Sequence, residues 1–155
     1  MSDGKAFPKG NRTETRLSTA TPCICIVGGG FGGVYTALYL QKYRHLRQSR
    51  IILIEPKDRF LFTPMMYELI TDELKAWEIA PTYSSLIAGK NIDWQQTRVE
   101  AVDLKQQIVT AVSGKIFAYD YLVMATGAQS LAFPIPGIDE HALTFRSFED
   151  AQRLT

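Results

Sequence analysis

A cluster of glycines constrains this chain more than any other feature of its sequence. Gly28, Gly29, Gly30, Gly32 and Gly33 fill positions 28–33, interrupted only by Phe31. The cluster follows directly on Cys23-Ile24-Cys25-Ile26-Val27, a short apolar run rich in β-branched residues. Such a run bounded by glycine reads as a buried strand. Val34 to Tyr43 then reads as a helix, apolar nearly all round and so expected to pack against a sheet. Ile51-Ile52-Leu53-Ile54 shows no polar alternation, the mark of a parallel strand covered on both faces. Strand, helix and strand together span residues 23–55, the length of one βαβ unit.

Gly28-x-Gly30-x-x-Gly33 therefore falls between a strand and a helix, where each glycine has a separate task. Gly28 permits the tight turn, Gly30 lets a pyrophosphate approach the backbone, and Gly33 lets helix and strand pack closely. The unpaired amides and partial positive charge of the helix start favour phosphate. Glu55 follows Gly33 by 22 residues, at the tip of the second strand. A carboxylate there accepts hydrogen bonds from both ribose hydroxyls and repels a 2′-phosphate. No Gly-Lys-Ser/Thr follows the glycines, so a P-loop is excluded. The pattern calls for a dinucleotide but does not separate NAD from FAD.

Downstream, Thr63-Pro64 begins a short helix over 65–71, and a second helical piece is expected over 79–88. Residues 92–102, 107–112 and 115–119 read as three antiparallel strands, with turns near Asp103-Leu104-Lys105 and at Ser113-Gly114. Tyr121-Leu122-Val123-Met124-Ala125 lacks alternation and returns to the parallel sheet, ending in Thr126-Gly127-Ala128. Pro134, Pro136 and Gly137 mark a loop, and Ser147-Phe148-Glu149-Asp150 opens a further helix. The expected divisions are a disordered tail over 1–21, a nucleotide-binding segment over 22–130 and a linker over 131–155.

Several function classes are excluded or disfavoured. With 17 Lys+Arg against 16 Asp+Glu, the chain offers no field for nucleic acid. No run reaches the ~18 apolar residues of a membrane span. The tail carries Lys5, Lys9, Arg12 and Arg16 but no apolar core, so it is no secretory signal, and Asp3 and Glu14 argue against a transit peptide. Cys23 and Cys25 share a strand face and have too few partners for a metal. His45 and His141 lack a spaced companion and read as solvated. Lys42, Arg44, His45, Arg47 and Arg50 read as charges complementing the end of the first helix. Met65, Met66, Leu69 and Ile70 read equally as core or as a wall beside a cofactor, and Trp77 and Trp94 as packing residues.

The order of Val27-Gly28-Gly29-Gly30-Phe31-Gly32-Gly33, Glu55, the antiparallel insert and Tyr121 to Ala128 resembles the flavoprotein reductases with two dinucleotide-binding domains. Phe60-Leu61-Phe62-Thr63-Pro64-Met65-Met66-Tyr67-Glu68-Leu69 is further similar to the type II NADH:quinone oxidoreductases, especially cyanobacterial ones. Sulfide:quinone reductases and apoptosis-inducing-factor-like reductases are neighbouring families. The sulfide enzymes need cysteines near the flavin, and Cys23 and Cys25 lie before the fingerprint.

The resemblance implies an α/β fold: a Rossmann-like FAD-binding domain with a parallel sheet and an inserted three-stranded antiparallel meander, truncated relative to the family. It implies FAD held by Gly28, Gly29, Gly30, Phe31, Gly32, Gly33 and Glu55. Thr63 lies in the narrowing motif, Ala125, Thr126 and Gly127 meet the flavin site, and backbone near Val99 meets the adenine. NADH and quinone would be served by regions beyond this chain. A membrane surface would be met only through a C-terminal region, on the cytoplasmic face, and a homodimer is compatible with the family. No catalytic residue is expected in this part, and its separate activity is an open expectation. The alternative of another class is a non-catalytic dinucleotide-binding module.

Overall fold

A computed structural model describes residues 21–43, 46, 48–128 and 135–154. The expected tail therefore lies almost wholly outside the described residues, as do Arg44, His45, Arg47 and Pro134. Four parallel strands form the main sheet: β1 (Cys23–Val27), β2 (Arg50–Ile54), β3 (Ile92–Gln95) and β7 (Tyr121–Met124), in the order β3-β2-β1-β7. A separate antiparallel sheet is built from β4 (Val99–Asp103), β5 (Ile108–Ala111) and β6 (Ile116–Ala118). Helix α1 (Phe31–Leu40) follows β1. A 3-10 turn (Thr63–Met65) leads into α2 (Tyr67–Ile70), followed by α3 (Ala76–Ile79) and α4 (Tyr83–Leu86). After β7 come α5 (Ile138–His141) and α6 (Phe148–Leu154).

The apolar strands are explained by their two covered faces. Ile24, Ile26, Ile51 and Leu53 pack with Val34 and Ala37 of α1, and with Phe60, Tyr83 and Ile92. Cys25, Val27, Ile52 and Ile54 point the other way, onto Val109, Ala111, Phe117 and Tyr119 of the meander and the residue after it. Adjacent side chains of a strand leave on opposite faces, so a helix below and a sheet above require apolar residues at both. Burying one such Ile or Leu contributes roughly 1.5–3 kcal/mol.

Several expectations need correction. Residues 92–102 are not one antiparallel strand. Ile92–Gln95 pairs parallel to β2, with Ile51 opposite Ile92, and only Val99–Asp103 belongs to the meander. Residues 79–88 are not one helix: Pro81 lies between α3 and α4, and it lacks the amide a continuous helix needs. α1 starts at Phe31 and ends at Leu40, three residues earlier than expected at each end. Its surroundings are more open than a fully covered helix: Tyr35 and Tyr39 are exposed, and Phe31, Tyr35 and Tyr39 stack in sequence. Of the basic cluster only Lys42 and Arg50 are described, and neither falls in the last turn of α1. Lys42 sits over the Tyr39 ring, and Arg50 opens β2 and pairs with Asp93 at 3.1 Å.

Met66 is core, closing a third cluster with Ile79 and Ala151 of α6, while Ile70 is exposed. Trp94 packs as expected, whereas Trp77 is 70% exposed. α6 thus folds back on the 60–79 region rather than leaving it.

Candidate functional site

Strand register creates the site. Val27 lies opposite Ile54 on one side and Met124 on the other, so three parallel strands end in line. The next residues, Gly28, Glu55 and Ala125, emerge side by side. The ladder reaches one step beyond the strands: Gly28 N donates to Ile54 O at 2.9 Å and Ala125 N to Val27 O at 2.8 Å. A groove of about 470 Å³ opens over these ends. Gly28, Gly30, Phe31, Glu55, Thr63, Ala125, Thr126 and Gly127 line it. With Arg146 also on the lining, residues up to 118 positions apart thereby border one groove.

The glycines differ in what they make possible. Gly28 has φ +99°, and a Cβ there would strike the Ala125 carbonyl. Gly33 carries α1 against the turn, and a Cβ would overlap the Gly28 carbonyl oxygen. Gly30 is the opposite case: a Cβ would meet nothing within 4 Å, because the position faces the groove. Gly30 also caps α1 without any side-chain hydrogen bond, and the first turn holds no acidic residue. Its carbonyl takes the first helical bond, from Val34 N at 2.9 Å. The amides before Val34 precede that first bond and carry the positive end of the helix. Gly32 lies 3.7 Å from the Ala125 Cβ when given a Cβ of its own.

Glu55 is half-buried and already engaged with backbone. Its Oε2 accepts from Gly29 N at 2.7 Å and its Oε1 from Lys57 N at 3.0 Å. Each oxygen keeps lone-pair capacity for a further donor. Trp94 Nε1 donates to the Glu55 carbonyl at 3.1 Å, fixing the main chain beneath the carboxylate.

Not all the expected residues share the groove. Gly29, Gly32 and Gly33 support the turn without lining the groove, and Val99 opens β4 and packs on the meander core, while its neighbour Arg98 reaches the groove. Sequence reasoning missed Tyr83, Lys57, Arg59, Arg98 and Arg146, which also line it. Tyr83 is 2% exposed, and its hydroxyl donates to Gly29 O at 2.7 Å. Burial, and then the Glu55 charge, push its phenol well above the usual range, so it remains a donor. Nothing local marks Tyr83 as special, since its partner lies 54 residues away. The cations were visible only as scattered charges. Cys23 and Cys25 lie in β1, outside the groove, and burial pushes the Cys25 thiol up to about 12. Among the described residues, no group of three or more His, Cys, Asp or Glu could hold a metal.

Comparison with known proteins agrees with this geometry. The chain is 40% identical over 144 residues to demethylphylloquinone reductase NdbB of Synechocystis sp., covering 89% of this chain and 36% of that protein. It is 35% identical over 169 aligned positions to the alternative NAD(P)H-ubiquinone oxidoreductase C1, chloroplastic/mitochondrial, of Arabidopsis thaliana, covering 99% and 32% respectively. The solved sulfide:quinone oxidoreductase of the hyperthermophilic bacterium Aquifex aeolicus superposes with a TM-score of 0.78 at 31% identity, covering 86% of this chain and 30% of that one. The chain spans about a third of the length of the curated relatives it matches. A profile of the pyridine nucleotide-disulphide oxidoreductases matches residues 22–155, and by that match the chain belongs to this family.

Proposed function

We propose that this chain is the FAD-binding part of a type II NADH:quinone oxidoreductase. One observation carries the reading: strand register brings the Gly28–Gly33 turn, Glu55 and the Ala125–Gly127 turn to one groove at the carboxyl ends of β1, β2 and β7. That is where open α/β sheets take nucleotides.

The residues present fit the cofactor. The open space at Gly30 leaves room for a diphosphate beside bare amides. Lys57, Arg59, Arg98 and Arg146 bring positive charge to the same groove. Glu55 offers its remaining lone pairs to ribose hydroxyls. In this reading Gly28, Gly29, Gly32 and Gly33 shape the turn, Phe31 walls it, and Thr63, Ala125, Thr126 and Gly127 border the flavin end. Backbone near Val99 and Arg98 borders the adenine. Bound there, FAD would accept a hydride from NADH and pass electrons to a quinone. This chain's own residues position the cofactor and balance its charge, and none is assigned acid–base work.

The relatives named as quinone reductases support the choice of acceptor. Among the described residues no helix is long and apolar enough to cross a membrane. A cytoplasmic, peripheral placement, NADH and quinone binding, and any homodimer are proposed for the whole protein. So is the division into a segment over 22–130 and a passage over 131–155 toward an NADH-binding domain. The sulfide:quinone reading gains from the Aquifex likeness, but this chain contributes no thiol to the groove.

The test is a visible absorbance spectrum of the purified chain, followed by titration with FAD, NAD and ADP-ribose. A flavin spectrum and preference for FAD are expected. Equal affinity for the three ligands favours the non-catalytic module, and binding of none overturns both readings.

A further inference from the structure

The bond between Tyr83 and Gly29 has no part in the fingerprint as the sequence presents it. Tyr83 comes from α4, is buried, and its hydroxyl reaches the Gly29 carbonyl at 2.7 Å. On the other side of the same residue, Gly29 N is held by Glu55 at 2.7 Å. Gly29 has no positive φ that demands glycine. A Cβ there would instead lie 2.5 Å from the Tyr83 hydroxyl and 2.7 Å from Glu55 Cγ. The glycine is thus required by the two groups that grip it.

Two neighbouring glycines make the Gly29–Gly30 peptide unusually free to rotate. In a trans peptide the carbonyl and the following amide point in opposite directions. Fixing the Gly29 carbonyl against Tyr83 therefore fixes the Gly30 N–H on the side away from the Tyr83 hydroxyl, and Gly30 itself lines the groove with open space about it. Rotation of that peptide would turn an oxygen lone pair toward an anion in place of a donor.

Tyr83 is itself held. Its amide donates to Asp58 O at 3.0 Å, its ring packs on Trp94 at 5.3 Å, and Thr82 caps its helix by accepting from Ser85 N at 3.2 Å. We propose that Tyr83 is a positioning residue for diphosphate binding: its hydroxyl locks the Gly29–Gly30 peptide with the Gly30 amide toward the ligand. The inference rests on the dinucleotide reading of the groove.

The experiment compares the full chain with Tyr83→Phe, using FAD, ADP and adenosine as separate probes and urea melts to establish folding. Tyr83→Phe is expected to weaken FAD and ADP by roughly five- to tenfold, the size of one lost hydrogen bond. Adenosine, which has no phosphate, is expected to bind both chains equally. Tyr121→Phe removes the hydroxyl of an exposed tyrosine outside the groove and is expected to retain the wild-type ratio of ADP to adenosine affinity. A second readout uses wild-type chain labelled with 15N-glycine: ADP should shift the Gly30 amide, and adenosine should not. That measurement stands even if Tyr83→Phe fails to fold. Equal losses for ADP and adenosine, an unchanged ADP affinity, the same ratio change in Tyr121→Phe, or an unmoved Gly30 amide would each overturn the proposal. If wild type binds none of the probes, the dinucleotide reading falls first and this inference with it.

Discussion

Gly30 and Gly33 belong to the same motif, yet their environments predict opposite consequences of the same methyl group. At Gly33 the added Cβ meets the Gly28 carbonyl oxygen, backbone that cannot retreat without disturbing the Gly28–Ile54 bond. Gly33→Ala is expected to destabilise the fold by about 3 kcal/mol in a urea melt. At Gly30 the methyl enters open space from a backbone with φ −66°, which any residue adopts. Gly30→Ala is expected to melt within about 0.5 kcal/mol of wild type. It should nonetheless lose roughly tenfold or more in FAD affinity, because the methyl occupies the diphosphate's path. Equal melting of both variants would contradict the packing described at Gly33. Gly29→Ala belongs between these cases, with a fold cost of about 1–3 kcal/mol. Adding Tyr83→Phe should restore only part of it, since Glu55 still crowds the new Cβ.

At the scale of elements, legibility depended on how local the determinants were. β1, α1 and β2 were readable because two apolar runs and a glycine turn lie within one short stretch. β3 was not. Ile92-Asp93-Trp94-Gln95 is an edge strand with only one neighbour, so it alternates like a strand of the meander that follows. Its parallel partner β2 is separated from it by three short helices, and nothing in the intervening sequence announces the pairing. The groove was half legible for the same reason. Glycines and Glu55 stand in a fixed spacing, whereas Tyr83, Arg98 and Arg146 arrive from elements whose positions depend on tertiary packing.

The start of α6 was legible from Ser147 to Asp150, and it carries a pH dependence. Asp150 Oδ2 accepts from Arg146 N at 2.9 Å and Ser147 N at 3.0 Å, while Ser147 Oγ accepts from Asp150 N at 3.0 Å. The Arg146 amide first, then the Thr144 hydroxyl and Ser147, hold the Asp150 carboxyl below its ordinary 3.8. A carboxyl lowered in the folded state stabilises fully above its unfolded value, and that contribution is lost as pH falls through the folded value. α6 should therefore loosen as the solution is taken below pH 3.8. Amide exchange at Ala151, which packs on Met66 and Ile79, would report the loosening. Asp150→Ala should abolish this acid-dependent step and leave α6 loose at neutral pH. An unchanged pH profile in that variant would show that the cap does not hold the helix.

Across the whole molecule, the main sheet is a layer between two unlike covers, and the nucleotide groove lies at its end rather than on either face. α1 covers one face through Val34 and Ala37, and the meander covers the other through Val109, Ala111 and Phe117. Because the diphosphate end of the groove is built from strand tips and the α1 turn, and the meander reaches the groove only through Arg98 at its start, loosening the meander should affect FAD binding less than loosening α1. Cys25 provides a built-in reporter. It is fully buried under the meander, with its thiol raised to about 12 by burial and secondarily by Cys23. Cys23 is only half-buried, though burial raises its thiol too. Near pH 8 a disulfide reagent should label Cys23 first and Cys25 only when the meander lifts. Phe117→Ala removes the ring from that interface and should cost about 3–5 kcal/mol. The expected result is accelerated labelling of Cys25 in Phe117→Ala, with FAD affinity changed less than in Gly30→Ala. Immediate labelling of Cys25 in the wild-type chain would contradict the buried interface. Loss of FAD binding in step with Cys25 exposure would show instead that the meander and the strand tips open as one unit.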